Sequence, residues 1–437
     1  MSDYMFMLEN HLSSEQNRVV AEVQTAASLA GTNLFLAGGA MRDVLGGFQV
    51  RDLDFSVEGN ALKLAATLGE TAGVRIVSTD EHRRCAEMVF PGGVTAQVAM
   101  SRVERYSKTG ARPQVTPATI QEDLRGRDFS VNAIALSLNR ASRGLLLDPT
   151  NGLADLGHKE LRTLNPYAFY DDPSRLLRLV RLRIRLAFAV EERTRAQFDN
   201  ARAAGVQNNI PARVLFEELR QMAAEPSPAE VLRALEADGV LAVFSPALAG
   251  PKLNLPAMAR LEKAYRVFPE QEGAPQERLG PFLYALTEKF TPREKAELVR
   301  ITGMTRSETD LWQKLEARSK KLEQALKSAR VRKPSQVYQI LFGAPDDEIS
   351  FVLYHSPLKP VQERVRNYFQ KYLPMAREFV RTEAEAGAGP GPTKSEKARQ
   401  QLLAAHLDRR PRKASHLPPA APPPMEVSAP RRGRANG

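Results

Sequence analysis

Residues 34–57, LFLAGGAMRDVLGGFQVRDLDFSV, constrain the fold more than any other stretch of the chain. The apolar run at 34–37 predicts a buried strand that stops at Gly38–Gly39. A short amphipathic helix is expected from near Ala40, with Arg42 and Asp43 in its first turn and Gly46–Gly47 at its end. The next run, 53–57, alternates, and strand residues two apart share a face. Asp52, Asp54 and Ser56 therefore fall on one face, and Leu53, Phe55 and Val57 on the other. Two neighbouring carboxylates repel unless a cation sits between them. Hard oxygen ligands with open positions suit Mg²⁺, which takes one or two carboxylates plus substrate phosphates. Asp52 and Asp54 are accordingly the candidate catalytic residues and metal ligands.

The glycine pair supplies the complement. Lacking Cβ atoms, Gly38 and Gly39 let backbone N–H groups approach a phosphate closely, and the helix that follows points its positive end the same way. The stretch reads as a triphosphate cradle facing a carboxylate pair. A strand–turn–helix corner with two surface aspartates is the plainer alternative. The combination of GGxxRD and DxD across one short helix favours the cradle.

At 437 residues the chain is long enough for more than one compact unit. Its formal net charge of +11 suits a polyanionic partner such as RNA. One cysteine, Cys85, excludes an internal disulfide and fits a reducing compartment. No apolar run is long enough to span a membrane, and the first residues lack the order of a signal peptide, so the cytoplasm is the expected location. In chain order, a helix is expected at 13–30, a second at 60–72, and strands within 73–100 that include a hairpin at Pro91–Gly93.

The GGxxRD and DxD pattern resembles the class II tRNA nucleotidyltransferases and the related bacterial poly(A) polymerases. Further matches follow. The family's ARxExY segment is met at Arg102, Glu104 and Tyr106. Its DLxRRDFTxNAxA segment is met at Asp123, Leu124, Arg127, Asp128, Phe129, Asn132 and Ala133, with Gly126 where the first arginine of the pair usually stands. The resemblance implies that Arg127 contacts phosphate or ribose, while Asp128 and Asn132, four apart on one helical face, support the sugar or brace the site. The superfamily often carries a third acidic residue on a neighbouring strand, and the corresponding position here is Gln97. Gly38, Gly39, Arg42 and Asp43 complete the nucleotide-binding set at the cradle.

The family motif EDxxRxxRxxR stands here as Asp171, Asp172, Arg175, Arg178 and Arg181. A helix is expected from Asp172, with Pro173 in its first turn. Cytosine and adenine share an exocyclic amine donor beside a ring-nitrogen acceptor, and guanine and uracil present the reverse. A fixed carboxylate, Asp172, accepts from the amine, and a fixed guanidinium, Arg175, donates to the ring nitrogen. Such a site rejects the wrong base because its own buried polar groups are left unpaired. Arg178 and Arg181 suit the triphosphate or hold Asp171 and Asp172 in place.

The resemblance implies an α+β, polymerase-β-like nucleotidyltransferase head with a small mixed sheet, followed by an all-α neck, body and tail. The expected organisation is an N-terminal helix at 1–30, the head at 31–150, a base-recognising neck at 151–250 and a tRNA-binding body and tail at 251–382. A linker with a short helix follows at 383–410, beginning with the Gly- and Pro-rich 383–392, and a disordered, basic, Pro-rich tail at 411–437. Lys320, Lys321, Lys327, Arg330, Arg332 and Lys333 are candidates for the tRNA path. The implied reaction is Mg²⁺-dependent transfer of C and A from CTP and ATP to the 3′ end of tRNA, building CCA without a nucleic-acid template. Poly(A) synthesis, or addition of CC or A alone, is the alternative within the enzyme class. Gln97 and Gly126 leave a catalytically impaired RNA-binding relative as a further alternative.

Overall fold

The computed structural model describes residues 3–268, 278–386 and 396–409. The tail expected at 411–437 lies outside these residues, as does most of the linker expected at 383–392. Residues 383–386 instead finish a helix, Leu373–Ala386, because Glu and Ala are good helix formers that continue its last turn. The short helix expected after the linker is present at Glu396–Leu407.

Two helices, α1 (Asp3–His11) and α2 (Ser14–Leu29), occupy the N-terminal region where one was expected. Ser13 separates them: its side chain accepts from the Gln16 amide, and the Gln16 side chain returns to the Ser13 N–H. Then follow β1 (Asn33–Ala37), α3 (Gly38–Gly46), β2 (Asp52–Glu58), α4 (Ala61–Thr71), β3 (Arg75–Asp80), β4 (Cys85–Val89) and β5 (Thr95–Met100). A separate hairpin, β6 (Arg102–Arg105) with β7 (Gln114–Pro117), leads to α5 (Ile120–Arg125). The strands β8 (Ala135–Ser137) and β9 (Leu146–Leu147) close a seven-stranded sheet of order β3-β4-β5-β2-β1-β8-β9. Only β2 and β5 run parallel; every other neighbouring pair in this sheet is antiparallel.

The alternation of β2 decides how the sheet is used. Leu53, Phe55 and Val57 are buried with Val20, Val23, Leu64 and Leu68 from α2 and α4, so one face of the sheet is covered by helices. Asp52 and Asp54 take the other face. The expected helix after the glycines begins two residues earlier than Ala40, at Gly38, with Ala37 as its N-cap. Gly38 has φ +68° and Gly47, just past the helix end, φ +70°, a conformation that costs other residues dearly. With that start, Arg42 and Asp43 lie in the second turn rather than the first.

The second half is helical: α6 (Gly152–His158), α7 (Ala168–Asp171), α8 (Ser174–Leu186), α9 (Glu192–Ala203), α10 (Ala212–Ala224) and α11 (Pro228–Ala237), then further helices to Leu407. Its apolar core begins inside the head, at Phe129 and Val131, and runs through Leu176, Leu179 and Phe216. Phe129 also makes a strand bridge to Thr163. Among the described residues no helix is long and apolar enough to cross a membrane.

Two local expectations are corrected. The helix α8 starts at Ser174, not Asp172, and Asp172 has extended geometry at φ −126°, ψ 95°. A residue before proline is pushed out of the helical region by the proline ring, and Asp172 precedes Pro173. It caps α8 from outside, accepting from the Ser174 amide at 3.0 Å and the Ser174 hydroxyl at 2.6 Å. Asp128 and Asn132 do not share an α-helix either: α5 ends at Arg125, and only a short 3₁₀ turn spans Ser130–Asn132. They meet nonetheless, Asn132 Nδ2 donating to Asp128 Oδ1 at 2.9 Å.

Candidate active site

A cavity of about 580 Å³ lies between the polar face of the sheet and helices α8 and α10. Gly38 and Gly39 form its floor beside Asp54. A Cβ on Gly39 would stand 3.1 Å from Asp54 Oδ2, and one on Gly38 would stand 2.7 Å from Arg127 Nη1, so the absent side chains are what leave the space. Asp54 Oδ2 accepts from the Ala40 amide at 3.3 Å, in the first turn of α3. Burial, then the charge of Asp52, push the Asp54 carboxyl up to about 6, against the pull of Arg127, the Ala40 amide and Arg42. Asp52 is exposed at the start of β2, and its carboxylate accepts from the Thr95 hydroxyl. It stands outside the cavity wall itself.

Arg127 lines the cavity. Its Nε and Nη2 donate to Asp123 Oδ2 at 3.2 and 2.8 Å, and Nη2 also donates to Ser56 Oγ at 2.9 Å. Burial alone would lower its basicity, but Asp123 keeps the guanidinium firmly charged. Asp128 and Asn132 line the same wall. Burial would raise the Asp128 carboxyl, yet Arg178, Arg175 and the Asn132 amide draw it down to about 2.

The opposite wall is the start of α8. Asp172, Arg175 and Arg178 all line the cavity. Arg175 is buried, its Nη2 donates to the Gly126 carbonyl at 3.0 Å, and its Nε lies 3.9 Å from Asp172 Oδ2. That Nε is buried without a hydrogen-bond partner. A buried donor left unmade costs the desolvation of the group, and the nearest acceptor to this one is the Asp172 carboxylate. Arg178 donates to Asp128 Oδ2 at 3.0 Å and approaches Glu218 Oε1 at 3.4 Å.

Three expected nucleotide contacts lie elsewhere. Arg42 is 4% exposed and turns into the protein, donating to Asp43 Oδ1 at 2.7 and 2.8 Å and to Asn132 Oδ1 at 2.7 Å. Asp43, 2% exposed, also accepts from Arg185 Nη2 at 2.8 Å. Arg181 is buried against two carboxylates of α10 and its C-cap, Glu218 at 3.3 Å and Glu225 at 3.1 Å. Each is neutralised by buried partners, so each braces the cavity from behind rather than forming its wall.

Gln97 is brought to the wall from β5, where it is the register partner of Asp54. The absent arginine at 126 is not a backbone requirement. Gly126 has an ordinary φ of −89°, and a Cβ there would meet nothing nearer than 3.5 Å. Arg83, which no pattern in the sequence marks, also lines the cavity. It shares Glu104 with Arg102 and with the Tyr106 hydroxyl, at 3.2, 2.8 and 2.7 Å respectively. Burial would raise Glu104, but Arg102, Arg83 and Tyr106 hold it at about 2. Arg83 follows a strand with no periodic signal of its own, so only its RR pairing with Arg84 could have drawn notice.

Residues 34–162 match the family described as the Poly A polymerase head domain. The chain is 31% identical over 331 residues to an A-adding tRNA nucleotidyltransferase of Halalkalibacterium halodurans, covering 71% of this chain and 75% of that one. It is 36% identical over 208 residues to a CC-adding tRNA nucleotidyltransferase of Deinococcus radiodurans, covering 48% of this chain and 54% of the other. Against the A-adding relatives of Aquifex aeolicus and Geobacter sulfurreducens it spans only 24% and 30% of their length. In three dimensions it is similar to a CCA-adding enzyme in an apo form, with TM-score 0.55 and 23% identity over 94% of this chain and 96% of that one.

Proposed function

The chain belongs to the tRNA nucleotidyltransferase family that carries the Poly A polymerase head domain, and from that premise we propose that it adds C and A residues to the 3′ end of tRNA from CTP and ATP. One observation carries this reading. Arg175, beside the Asp172 carboxylate, lines one cavity with Asp54 and the glycine floor. A base edge and a triphosphate can therefore be held at once. Asp172 accepts from the exocyclic amine of cytosine or adenine, and Arg175 donates to the adjacent ring nitrogen. Guanine and uracil would leave both groups unpaired.

The donor set fits a divalent cation. Asp52 and Asp54 are hard oxygen ligands on one face, Asp54 is pushed up partly by its neighbour's charge, and the glycine cradle leaves room beside it. Bound there, Mg²⁺ supplies Lewis acidity toward the 3′-hydroxyl and offsets triphosphate charge. The chain's own part is placement. Gly38 and Gly39 would admit the phosphates, Arg127 would add a fixed positive charge, and Asp128 and Asn132, on the same wall, would support the ribose. The 3′-hydroxyl gives its proton to water, its oxygen bonds to the α-phosphorus, the bridging bond to the β-phosphate breaks, and pyrophosphate leaves. Lys320, Lys321, Lys327, Arg330, Arg332 and Lys333 are exposed in the helical body and offer a path for the tRNA backbone.

A-addition alone is the second reading. It is favoured by the relative named A-adding, of which the chain covers 75%. The test is purified protein with Mg²⁺, labelled CTP or ATP, and tRNA ending at the discriminator base, at C or at CC. CCA synthesis supports the main reading, and A incorporation only on the CC-ended tRNA supports the second. Long A tails on any RNA would mark a poly(A) polymerase, and tight tRNA binding without incorporation an impaired relative.

A further inference from the structure

A closed hydrogen-bond circuit starts and ends on α8. Arg178 Nη1 donates to Asp128 Oδ2 at 3.0 Å, and Asn132 Nδ2 donates to Asp128 Oδ1 at 2.9 Å. Arg42 Nη1 donates to Asn132 Oδ1 at 2.7 Å and its Nε to Asp43 Oδ1 at 2.8 Å. Asp43 Oδ2 then receives Arg185 Nη2 at 2.8 Å, back on α8. The two anchors on α8 are seven residues apart, about 10 Å along the axis. Every intermediate member is buried: Arg42, Asp43, Asp128 and Asn132 are each 9% exposed or less.

α8 is tied to the helical half by Arg181, through Glu218 and Glu225, and by Arg183, through Asp238. Its ties to the head are Arg175 to the Gly126 carbonyl, Arg178 to Asp128 and Arg185 to Asp43, and the last of these sets the tilt of its far end against α3. Arg175 stands at the other end, one turn before Arg178. Its distance from the sheet is what sets the reach between a base edge and the glycine floor. A 1 Å error there matters, because productive geometry tolerates little displacement. Asp43 is shared by two guanidiniums, and Arg42 and Arg51 also face Arg185. Losing the carboxylate would therefore leave cations facing one another.

We propose that Arg185 is a positioning residue for base selection: through Asp43 and Arg42 it aims the Asp172–Arg175 end of α8 at the cavity, although it touches no substrate. This rests on the nucleotide-transfer reading above and adds to it a specificity determinant outside the cavity wall.

The test compares wild type, Arg185→Gln and Arg185→Lys in the full chain. Discrimination is read as kcat/KM for CTP and ATP over UTP and GTP. Nucleotide affinity is read separately by calorimetry without tRNA, and melting temperature alongside. R185Q is expected to lose at least tenfold in discrimination and to weaken ATP and CTP binding, with the single donor of R185K restoring most of both. A purely structural role would lower the melting temperature and total activity while leaving the ratio unchanged. Discrimination within twofold of wild type in a folded R185Q overturns the proposal. Should R185Q not fold, Asp43→Asn is judged by the same ratio, and an unchanged ratio overturns the proposal equally. Wild type that incorporates no nucleotide is a failure of the transfer reading instead. The calorimetric preference for ATP and CTP over UTP and GTP, compared between variants, then still decides the Arg185 claim.

Discussion

Gln97 is the lateral neighbour of Asp54: the two are register partners across the parallel β2–β5 pair, and both line the cavity. An amide beside a carboxylate already pushed up to about 6 adds no further repulsion. Gln97→Glu should therefore behave oppositely with and without divalent ions. Without them it should destabilise by about 1 kcal/mol through like-charge repulsion. With Mg²⁺ it should melt at a higher temperature than wild type and need less Mg²⁺ for half-maximal stabilisation. Thermal melts across a Mg²⁺ titration check this, and equal midpoints for both proteins would contradict it.

Asp54 also predicts a pH dependence. Its folded carboxyl titrates near 6, above the ordinary 3.8. Between those values the folded state holds a proton that the unfolded state has lost. Stability is therefore greatest below about pH 4 as far as this group is concerned, and falls as pH rises through 6. The span corresponds to about 3 kcal/mol. Asp54→Asn should remove this fall and melt higher than wild type at pH 7 in EDTA, while abolishing transfer. Urea midpoints at pH 5 and pH 7 give the comparison, and a D54N protein with the wild-type slope would refute it.

Gly38 and Gly39 should respond differently to alanine. At Gly38 the backbone is left-handed and a Cβ would meet Arg127 at 2.7 Å, so G38A should cost about 1–2 kcal/mol for the backbone alone, and transfer with it. At Gly39 the nearest atom is Asp54 Oδ2 at 3.1 Å, in a helix that alanine favours. G39A should keep its melting temperature within a few degrees but weaken triphosphate binding about tenfold. Melts and nucleotide calorimetry separate the two effects, and equal destabilisation by both would count against the cradle.

Base choice should fail at α8. Arg175→Ala removes the donor poised for the ring nitrogen, and Asp172→Asn replaces an acceptor with a mixed group. Sites that pair buried polar groups with a substrate discriminate by factors of about 10⁴–10⁵. Each variant should admit UTP or GTP by at least a hundredfold relative to CTP and ATP, read in single-nucleotide incorporation assays. Unchanged C and A selectivity would remove the role assigned to this pair.

Much of the cavity was legible because strand geometry is strict. The pleat of β2 places Asp52 and Asp54 opposite Leu53 and Phe55 whatever else happens, and the glycines announce the floor. Asp172 and Arg175 were legible as neighbours from their spacing alone. What spacing could not show is which charged side chains turn inward. Arg42 and Asp43 stand in the same motif as the floor glycines, and Arg181 in the same motif as Arg178. Their burial depends on Asn132, Arg185, Glu218 and Glu225, which come from distant segments. A proline suits a helix's first turn, but its ring also pushes the preceding residue out of the helical region, and that second effect is what moves the start of α8 past Asp172. Asp128 and Asn132 meet as expected, though through a tight turn rather than a helix.

Phe129 and Val131 lie within the sheet-bearing half yet are fully buried in the apolar core of the helical half. A fragment cut at residue 150 would carry both side chains into water and lose the wall that Asp172 and Arg175 provide. The two halves are thus interlocked rather than bolted together. Exchanging the catalytic portion between relatives would transplant cleanly only if the junction were drawn upstream of Phe129, which would strip β8 and β9 from the sheet they close.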